Sequence, residues 1–312
     1  MILLLWLASL PCLYWTQGLE TAPALKTAGI ARVCVPPAQV AGWREAGTSA
    51  TPMSEGELEL RDTVPVPGIR ARADRASPTR SPWVNTNGSR YLRQAGGEYT
   101  YEVPAGKAAL AAAEAYVYGV DAVLRVDPSD VESLGRMMSF LAERPALDLP
   151  DVADIGVVDD GSAALGEVLN LLVRRNLLFR SVREADPKLP VTVVLGSPEF
   201  PAVEAADPSE FALKVRRRLT DERRTLRVFG SEVVIGRLTS DGARTRLHLL
   251  NYGGRDLDGI RVRLRGTYPE GAAFVAGQGR VALQERGIVD GGTEFTVPRL
   301  GVYGSVDLPA EK

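Results

Sequence analysis

The sequence predicts an α/β protein in which α/β regions with parallel sheets are followed by an antiparallel β-sandwich. The first observation is a pair of short β-branched runs, at 155–158 and 191–195, that flank an amphipathic helical pattern at 167–175. Such a succession is typical of a βαβ unit with parallel strands. The second observation is a series of short alternating strands after residue 226, separated by turn sequences. This spacing favours a β-sandwich.

The bulk composition narrows the range of partners. With 312 residues, of which 45% are hydrophobic, the chain is long enough for two or three domains with buried cores. The formal net charge of −2 argues against a nucleic-acid or anionic-membrane partner. Basic clusters at 216–218 and 223–224 are interleaved with acidic residues, which favours a solvated helix face. We expect no cofactor, and the sequence sets no oligomeric state.

The N-terminal segment 1–18 favours a cleaved signal peptide, and therefore a secreted or periplasmic protein. Its apolar run at 1–14 has the length of a signal-peptide core and is too short for a membrane-spanning helix. It lacks a preceding Lys or Arg and a clear cleavage site, so a misassigned start and a first buried strand are the alternatives. If Cys12 is removed, Cys34 is alone, and we expect it to be a buried structural thiol.

Residues 22–145 alternate between helical and strand patterns. An alanine-rich helix at 105–118 ends at Gly119 and leads to a strand at 122–126. Glu114, within this helix, is expected to face solvent, and a position facing a cleft is the alternative. These patterns predict a further α/β region ahead of the βαβ unit.

The succession of elements resembles that of bacterial glycoside hydrolases. Residues 154–219 resemble the amidotransferase-like, flavodoxin-type domain found in many of these enzymes, and 246–264 resemble the small β-sandwich that closes them. Residues 22–145 resemble part of their α/β barrel. The resemblance implies carbohydrate as a partner. We accordingly place an N-terminal α/β region at 19–150, an amidotransferase-like domain at 151–225 and a β-sandwich at 226–312.

Two departures limit what this resemblance implies. The turn at Leu195-Gly196-Ser197-Pro198-Glu199 lacks the cysteine that an amidotransferase of this class uses as its nucleophile. Glutamine hydrolysis is therefore not expected. A complete eight-stranded barrel takes about 250 residues, so a barrel in the N-terminal region would be partial. The alternative is a different α/β layer.

The candidate catalytic residues are carboxylates that each follow an apolar strand. Ligands of parallel sheets gather beyond the carboxyl ends of the strands. Glycoside hydrolysis needs two carboxylates, one as acid and the other as base or nucleophile. The alternative is that aspartates in these positions only cap the helices that follow. The four candidates are Asp127, Asp159, Asp160 and Glu199.

For two further residues, Trp83 and His248, a functional role has a structural alternative. Trp83 lies in a predicted long loop at 68–97, and it is either a platform for a sugar ring or a plug at the edge of a core. His248 is the only histidine and alternates within a predicted strand, which favours a structural polar role over catalysis. No other histidine is present to share a metal, and we expect no metal site.

Three functions remain open on the sequence. The first is an exported glycoside-hydrolase-like protein that acts on or binds carbohydrate and is either active or catalytically degenerate. The second is a non-catalytic binding or assembly module, favoured by the missing amidotransferase cysteine and the short barrel region. The third is a diverged fragment whose missing N-terminal part held the active site.

Overall fold

The structure of the protein, a computed structural model, describes residues 10–71, 82–93, 95–144 and 149–309. It divides into two compact units. The first unit contains the described residues of Met1–Val66 and Arg93–Asp148, and the second those of Pro67–Leu92 and Leu149–Lys312. The described residues of 67–92, a range predicted to belong to the N-terminal region, therefore pack with the C-terminal part of the chain.

A six-stranded parallel sheet forms the centre of the first unit. Its strands pair in the order β3-β2-β1-β8-β7-β4. Within this unit, strands that follow one another along the chain are neighbours in the sheet, except β3 and β4, and the first strand pairs with the last. This is the order of a barrel that is open between β3 and β4. The strands are β1 (Cys12–Tyr14), β2 (Arg32–Val35), β3 (Ser49–Pro52), β4 (Asp62–Pro65), β7 (Glu98–Val103) and β8 (Asp121–Val126).

Five α-helices accompany this sheet in the described part of the first unit. The longest are buried where they are apolar, and the alanine-rich helix is buried along almost its whole length. It ends at Gly119, which adopts the left-handed conformation that closes many helices. The predicted partial barrel and the predicted alanine-rich helix are thus confirmed. The helices are α1 (Ala22–Thr27), α2 (Val40–Glu45), α3 (Glu55–Glu59), α4 (Ala108–Tyr118) and α5 (Val131–Ala142).

Strand β1 lies within the segment that the sequence analysis assigned to a signal peptide. It occupies the interior of the sheet between β2 and β8, which matches the alternative of a first buried strand. Cleavage after residue 18 would remove this strand; residues 1–9 lie outside the described residues. Cys12 forms a disulfide with Cys34, so the expectation of a lone buried thiol at Cys34 is wrong.

The contact between α1 and α5 depends on a glycine. A Cβ atom on Gly135 of α5 would overlap the carbonyl oxygen of Ala28, which directly follows α1. We therefore expect Gly135→Ala to lower the free energy of unfolding by about 1–3 kcal/mol, the usual cost of overpacking. Gly56→Ala in α3, where an added Cβ meets no atom within 4 Å, should be neutral or slightly stabilising. Urea denaturation of both variants tests this, and an unchanged midpoint for Gly135→Ala would contradict it.

A three-stranded parallel sheet begins the second unit. Its order is β10-β9-β11, and the apolar faces of two helices cover a core that includes Leu169 and Phe211. The predicted parallel pairing of β9 with β11 is confirmed. The structure adds an edge strand that the sequence analysis missed. The elements are β9 (Ile155–Val157), α6 (Ala163–Arg174), β10 (Phe179–Ser181), β11 (Val191–Val193) and α7 (Pro208–Leu219).

Two antiparallel sheets follow, with the orders β12-β15-β19-β18 and β13-β14-β20-β16-β17. Ile260, Val262 and Leu264 are buried, while the arginines between them lie toward solvent. This confirms the predicted antiparallel C-terminal part. The strands are β12 (Leu226–Val228), β13 (Val234–Ser240), β14 (Arg244–Asn251), β15 (Leu257–Arg265), β16 (Ala272–Val275), β17 (Gly279–Val281), β18 (Gln284–Val289), β19 (Gly292–Leu300) and β20 (Tyr303–Pro309).

The predicted loop 68–97 contains regular structure where the structure describes it. Strands β5 (Gly68–Arg70) and β6 (Trp83–Asn85) pair as an antiparallel ribbon, and residues Gly88–Leu92 form a 3-10 helix. Among the helices of the described ranges, none combines the length and the apolar character needed to cross a bilayer.

Candidate functional site at the carboxyl ends of the barrel strands

Four polar residues meet where the strands of the first unit end. Tyr14 is the last residue of β1, Glu102 and Arg125 are the penultimate residues of β7 and β8, and Glu55 begins α3 directly after β3. Side chains alternate between the two faces of a strand, and the disulfide of Cys12 marks one face of β1. Tyr14, two residues further on, therefore shares that face. We call these four residues the barrel-mouth cluster.

Hydrogen bonds and ion pairs connect the barrel-mouth cluster. The Tyr14 hydroxyl donates to Glu55 Oε1 at 3.0 Å. The guanidinium of Arg125 lies 3.5 Å from Glu55 Oε2 and 3.2 Å from Glu102 Oε1. Its Cζ is also 5.6 Å from the centre of the Tyr14 ring. One arginine therefore bridges two carboxylates, and its planar fork places their nearest oxygens within about 9 Å of each other.

The contact between Arg125 and Glu55 is made through α3. Leu58, in the same helix as Glu55, packs with Cys12, Tyr14 and Val123. Helix α3 therefore lies against the face of β1 and β8 that carries Tyr14 and Arg125. In barrels of parallel strands and helices, this end of the strands holds the active site.

The two carboxylates are accessible, and the tyrosine beside them is not. The side chains of Glu55 and Glu102 are 58% and 54% exposed, whereas Tyr14 is buried. Burial raises the pKa of the Tyr14 hydroxyl, and its hydrogen bond to Glu55 raises it further. Tyr14 therefore stays protonated at neutral pH and donates to Glu55. The cluster presents two exposed acceptors to solvent, held in place by a buried donor and a guanidinium.

Asp127 lies in the first unit, directly after β8. Its Oδ1 accepts hydrogen bonds from the backbone N–H of Ser129 at 2.9 Å and from the Ser129 hydroxyl at 2.6 Å. These bonds lower the pKa of Asp127. They also make Asp127 the cap of the short helical turn that follows. Its predicted catalytic role stays a prediction.

The other predicted carboxylates lie in the second unit, beyond the adjacent strands β9 and β11. Asp159 Oδ1 accepts from the N–H of Gly161 at 3.0 Å, and Asp160 Oδ1 accepts from that of Ser162 at 2.8 Å. Glu199 forms an exposed ion pair with Arg218 at 2.6 Å. The helix cap of α6 is Ser162 rather than either aspartate. The catalytic role of these three carboxylates also stays a prediction.

Trp83, the predicted sugar platform, begins β6 and is half-buried. The Cζ of Arg174 lies 5.2 Å from the centre of its ring, within the range of a cation–π contact. Arg174 also donates to Glu232 Oε2 at 2.5 Å. His248 is buried, and its Nδ1 lies 2.8 Å from the Tyr303 hydroxyl, which agrees with the predicted structural polar role.

None of the four residues of the barrel-mouth cluster was among the predicted site residues. Tyr14 fell within the predicted signal peptide, and Glu55 fell in a stretch without clear periodicity. The sequence Ser54-Glu55-Gly56-Glu57 nevertheless carries a helix-start pattern, and the structure shows a capping box between Ser54 and Glu57. That pattern locates the start of α3, and with it Glu55, a carboxylate close behind β3. Within the described ranges, no three His, Cys, Asp or Glu side chains are arranged to hold a metal ion.

Comparison with solved structures finds a likeness of fold to a glycoside hydrolase. A solved structure similar to this chain is alpha-L-fucosidase isoenzyme 2 from Paenibacillus thiaminolyticus, with 11% sequence identity and a TM-score of 0.53. The match covers 69% of this chain and 61% of the fucosidase, so the chain spans less than two thirds of that protein. The rhamnosidase from Novosphingobium sp. PP1Y matches 69% of this chain over 31% of its own length, with 12% identity and a TM-score of 0.43.

At these identities the likeness concerns the fold alone. No protein-family model matches the sequence, and no curated protein matches it. The glycoside-hydrolase-like fold that the sequence predicted is confirmed.

Proposed function

We propose that this protein is an exported, carbohydrate-active protein that binds a glycan at the barrel-mouth cluster and cleaves it with Glu55 and Glu102. The observation that carries the proposal is the bridging of these two carboxylates by Arg125 at the carboxyl ends of the barrel strands. Pairs of carboxylates flank the scissile bond in most glycoside hydrolases, at about 5–5.5 Å in retaining and 6.5–9.5 Å in inverting enzymes. The similarity of the fold to a fucosidase supports the same class of reaction.

The contacts suggest different roles for the two carboxylates. Glu55 is oriented by two donors, the Tyr14 hydroxyl and the Arg125 guanidinium. A carboxylate held in this way suits the nucleophile or the base that activates water. Glu102 contacts the same guanidinium at 3.2 Å and is the remaining carboxyl group that can protonate the leaving oxygen. Arg125 then fixes the separation between the two groups.

Two further observations bear on this proposal. The buried disulfide between Cys12 and Cys34 supports export, because disulfides persist in oxidising compartments. The parallel sheet of the second unit, with its turn at 195–199 that lacks cysteine, is proposed to be a degenerate amidotransferase-like domain without glutamine hydrolysis.

Glu55→Gln and Glu102→Gln are each expected to reduce glycoside hydrolysis by about a hundredfold or more, since proton transfer by a positioned group contributes about 10²–10⁴-fold. The measurement is turnover of a panel of 4-nitrophenyl glycosides. Glu98→Gln is the matched control, because Glu98 lies in the same strand at its opposite end and is exposed. It should retain full activity.

The same panel separates this proposal from the carboxylates predicted by sequence. The double variant Asp159→Asn/Asp160→Asn should keep its activity if the barrel-mouth cluster carries the reaction. Loss of activity in that variant, with full activity in Glu55→Gln and Glu102→Gln, would transfer the assignment to Asp159 and Asp160.

A second candidate function is glycan binding without hydrolysis. Both carboxylates are more than half exposed, whereas a carboxylic acid that acts as general acid usually lies in apolar surroundings. In that case, isothermal titration calorimetry detects a glycan that Glu102→Gln binds more weakly, and no glycoside of the panel is turned over.

A further inference from the structure

A pocket of about 450 Å³ in the second unit is lined mainly by arginines. It lies between the carboxyl end of α6, the carboxyl end of α7 and the segment 221–232, which contains β12. Five arginines and two carboxylates line it, which leaves an excess of three positive charges. The charged residues are Arg174, Arg175, Arg216, Arg224 and Arg227, with Asp221 and Glu232. We call this the arginine pocket.

The two carboxylates of the arginine pocket are already engaged. Asp221 is shared by Arg216, at 3.0 Å, and Arg224, at 3.2 Å. Glu232 accepts from Arg174, which the face of Trp83 also orients. Arg175 and Arg227 form no ion pair with a carboxylate among the described residues. Their side chains donate to backbone carbonyl oxygens instead, those of Leu171 and Asp221.

Several of these cations are removed from water. The side chains of Arg224 and Arg174 are 8% and 16% exposed, and the Nε of each is buried without a hydrogen-bond partner among the described residues. Burial lowers the pKa of Arg175 and that of Arg224, and neighbouring guanidinium groups lower both further. Glu232 and Asp221 act in the opposite direction and do not restore the usual pKa values. An anion bound among these guanidinium groups would relieve the repulsion between them.

An aromatic ring adjoins this charge. Phe229 lines the arginine pocket and is 41% exposed. The Cζ of Arg261 lies 5.9 Å from the centre of this ring. A partly exposed aromatic ring beside guanidinium groups suits a ligand with an apolar ring face and an anionic substituent. A sugar ring that carries a carboxylate or a sulfate has both features, whereas a free inorganic anion uses only the guanidinium groups.

We propose that the arginine pocket binds the oxyanion, a carboxylate or a sulfate, of an acidic polysaccharide. This inference names the class of substrate and therefore rests on the proposed carbohydrate function. Binding of the oxyanion does not depend on hydrolysis at the barrel-mouth cluster. Guanidinium groups bind carboxylates and sulfates through paired hydrogen bonds. The excess charge then selects acidic over neutral glycans.

The test is isothermal titration calorimetry of the full chain with four probes. They are an oligogalacturonate, a sulfated carrageenan oligosaccharide, a neutral galacto-oligosaccharide of the same length, and inorganic sulfate. The variant is Arg175→Gln/Arg227→Gln, and Arg175→Lys/Arg227→Lys keeps the charge without the planar fork. Arg280→Gln/Arg286→Gln is the control, because it removes the same charge from exposed positions. Thermal unfolding confirms that each variant is folded.

We expect one acidic oligosaccharide to bind, and the oligosaccharide that does so identifies the oxyanion. The glutamine variant should weaken it by about tenfold or more, the lysine variant should weaken it less, and the control should leave it unchanged. Equal affinities of the parent protein and the glutamine variant for both acidic probes would overturn the inference. So would binding of sulfate alone, which would make the pocket a site for a free anion. The protein could also bind an acidic probe through these arginines and cleave no glycan. That result would support this inference and contradict the proposed hydrolysis.

Discussion

Replacing Glu114 by glutamine is expected to lower the free energy of unfolding by about 3 kcal/mol or more, because it removes the carboxylate of a buried ion pair with Arg93. The two side chains are 1% and 4% exposed and form an ion pair. Arg93 also donates to the hydroxyl of Tyr101. Few single substitutions in a domain cost this much, so the measurement has a clear outcome.

The surroundings of Arg93 explain the size of the expected effect. Its Cζ lies 4.8 Å from the ring centre of Tyr118 and 5.5 Å from that of Tyr101. Burial opposes the charged form of the guanidinium, yet Glu114 and the tyrosines outweigh burial and raise the pKa of Arg93 above its usual range. An arginine side chain keeps its charge in a protein, so the variant retains a buried guanidinium and loses the carboxylate that pairs with it.

Urea denaturation followed by circular dichroism measures this loss. The matched control is Glu132→Gln, which breaks an exposed ion pair with Arg136 one helical turn away in α5. It should cost only a few tenths of a kcal/mol. The double variant Arg93→Met/Glu114→Leu should recover most of the stability, because an apolar pair leaves no charge unpaired. A Glu114→Gln midpoint equal to that of the control would show that Arg93 does not need its counterion.

The buried position of Glu114 illustrates what the sequence could not reveal. The alanine-rich pattern predicted α4 and its end at Gly119, because helix propensity and the glycine stop are local properties. Glu114 was expected to face solvent, and that expectation is wrong, since the residue is buried. Its counterion, Arg93, lies 21 positions away in an irregular segment, where no periodic pattern connects the two.

The pairing of β1 with β8 in the open barrel was beyond local patterns for the same reason. The pairing of Cys12 with Val123 joins the first strand of the sheet to the last. Alternation within each strand indicates which side chains share a face but not which distant strand lies beside it. The sequence therefore predicted a partial barrel through resemblance, and β9 with β11 through the pattern of the intervening helix.

The candidate site combines both situations. The sequence predicted site carboxylates at the carboxyl ends of strands. The residues at such positions are Asp127, Asp159, Asp160 and Glu199. The barrel-mouth cluster obeys the same principle, yet Glu102 and Arg125 are still inside their strands, where a charged residue resembles an ordinary solvent-facing one. The packing of α3 on the sheet brings Glu55 to Arg125.

Removing the disulfide by Cys12→Ala/Cys34→Ala is expected to lower the free energy of unfolding by about 3 kcal/mol. The bond joins residues 22 positions apart, and the chain-entropy estimate for closing a loop of this length in the unfolded state is about 3 kcal/mol. Both cysteines are buried, in a cluster that also contains Tyr14 and Met53. The small cavity left by two sulfur atoms adds to the loss.

The disulfide also connects stability to the candidate site, because Tyr14 follows Cys12 by two residues in β1 and lies beside Cys34 in the register of β1 and β2. If the bond holds β1 in place, its removal should weaken glycan binding at the barrel-mouth cluster as well as the fold. The measurement is the urea midpoint and the glycan affinity of the parent protein with and without dithiothreitol, together with a count of free thiols. The alanine variant should match the reduced protein and should not respond to the reductant. Two titrating thiols with an unchanged midpoint would show that the strand pairing of β1 with β2 and β8 holds this edge of the site without the covalent bond.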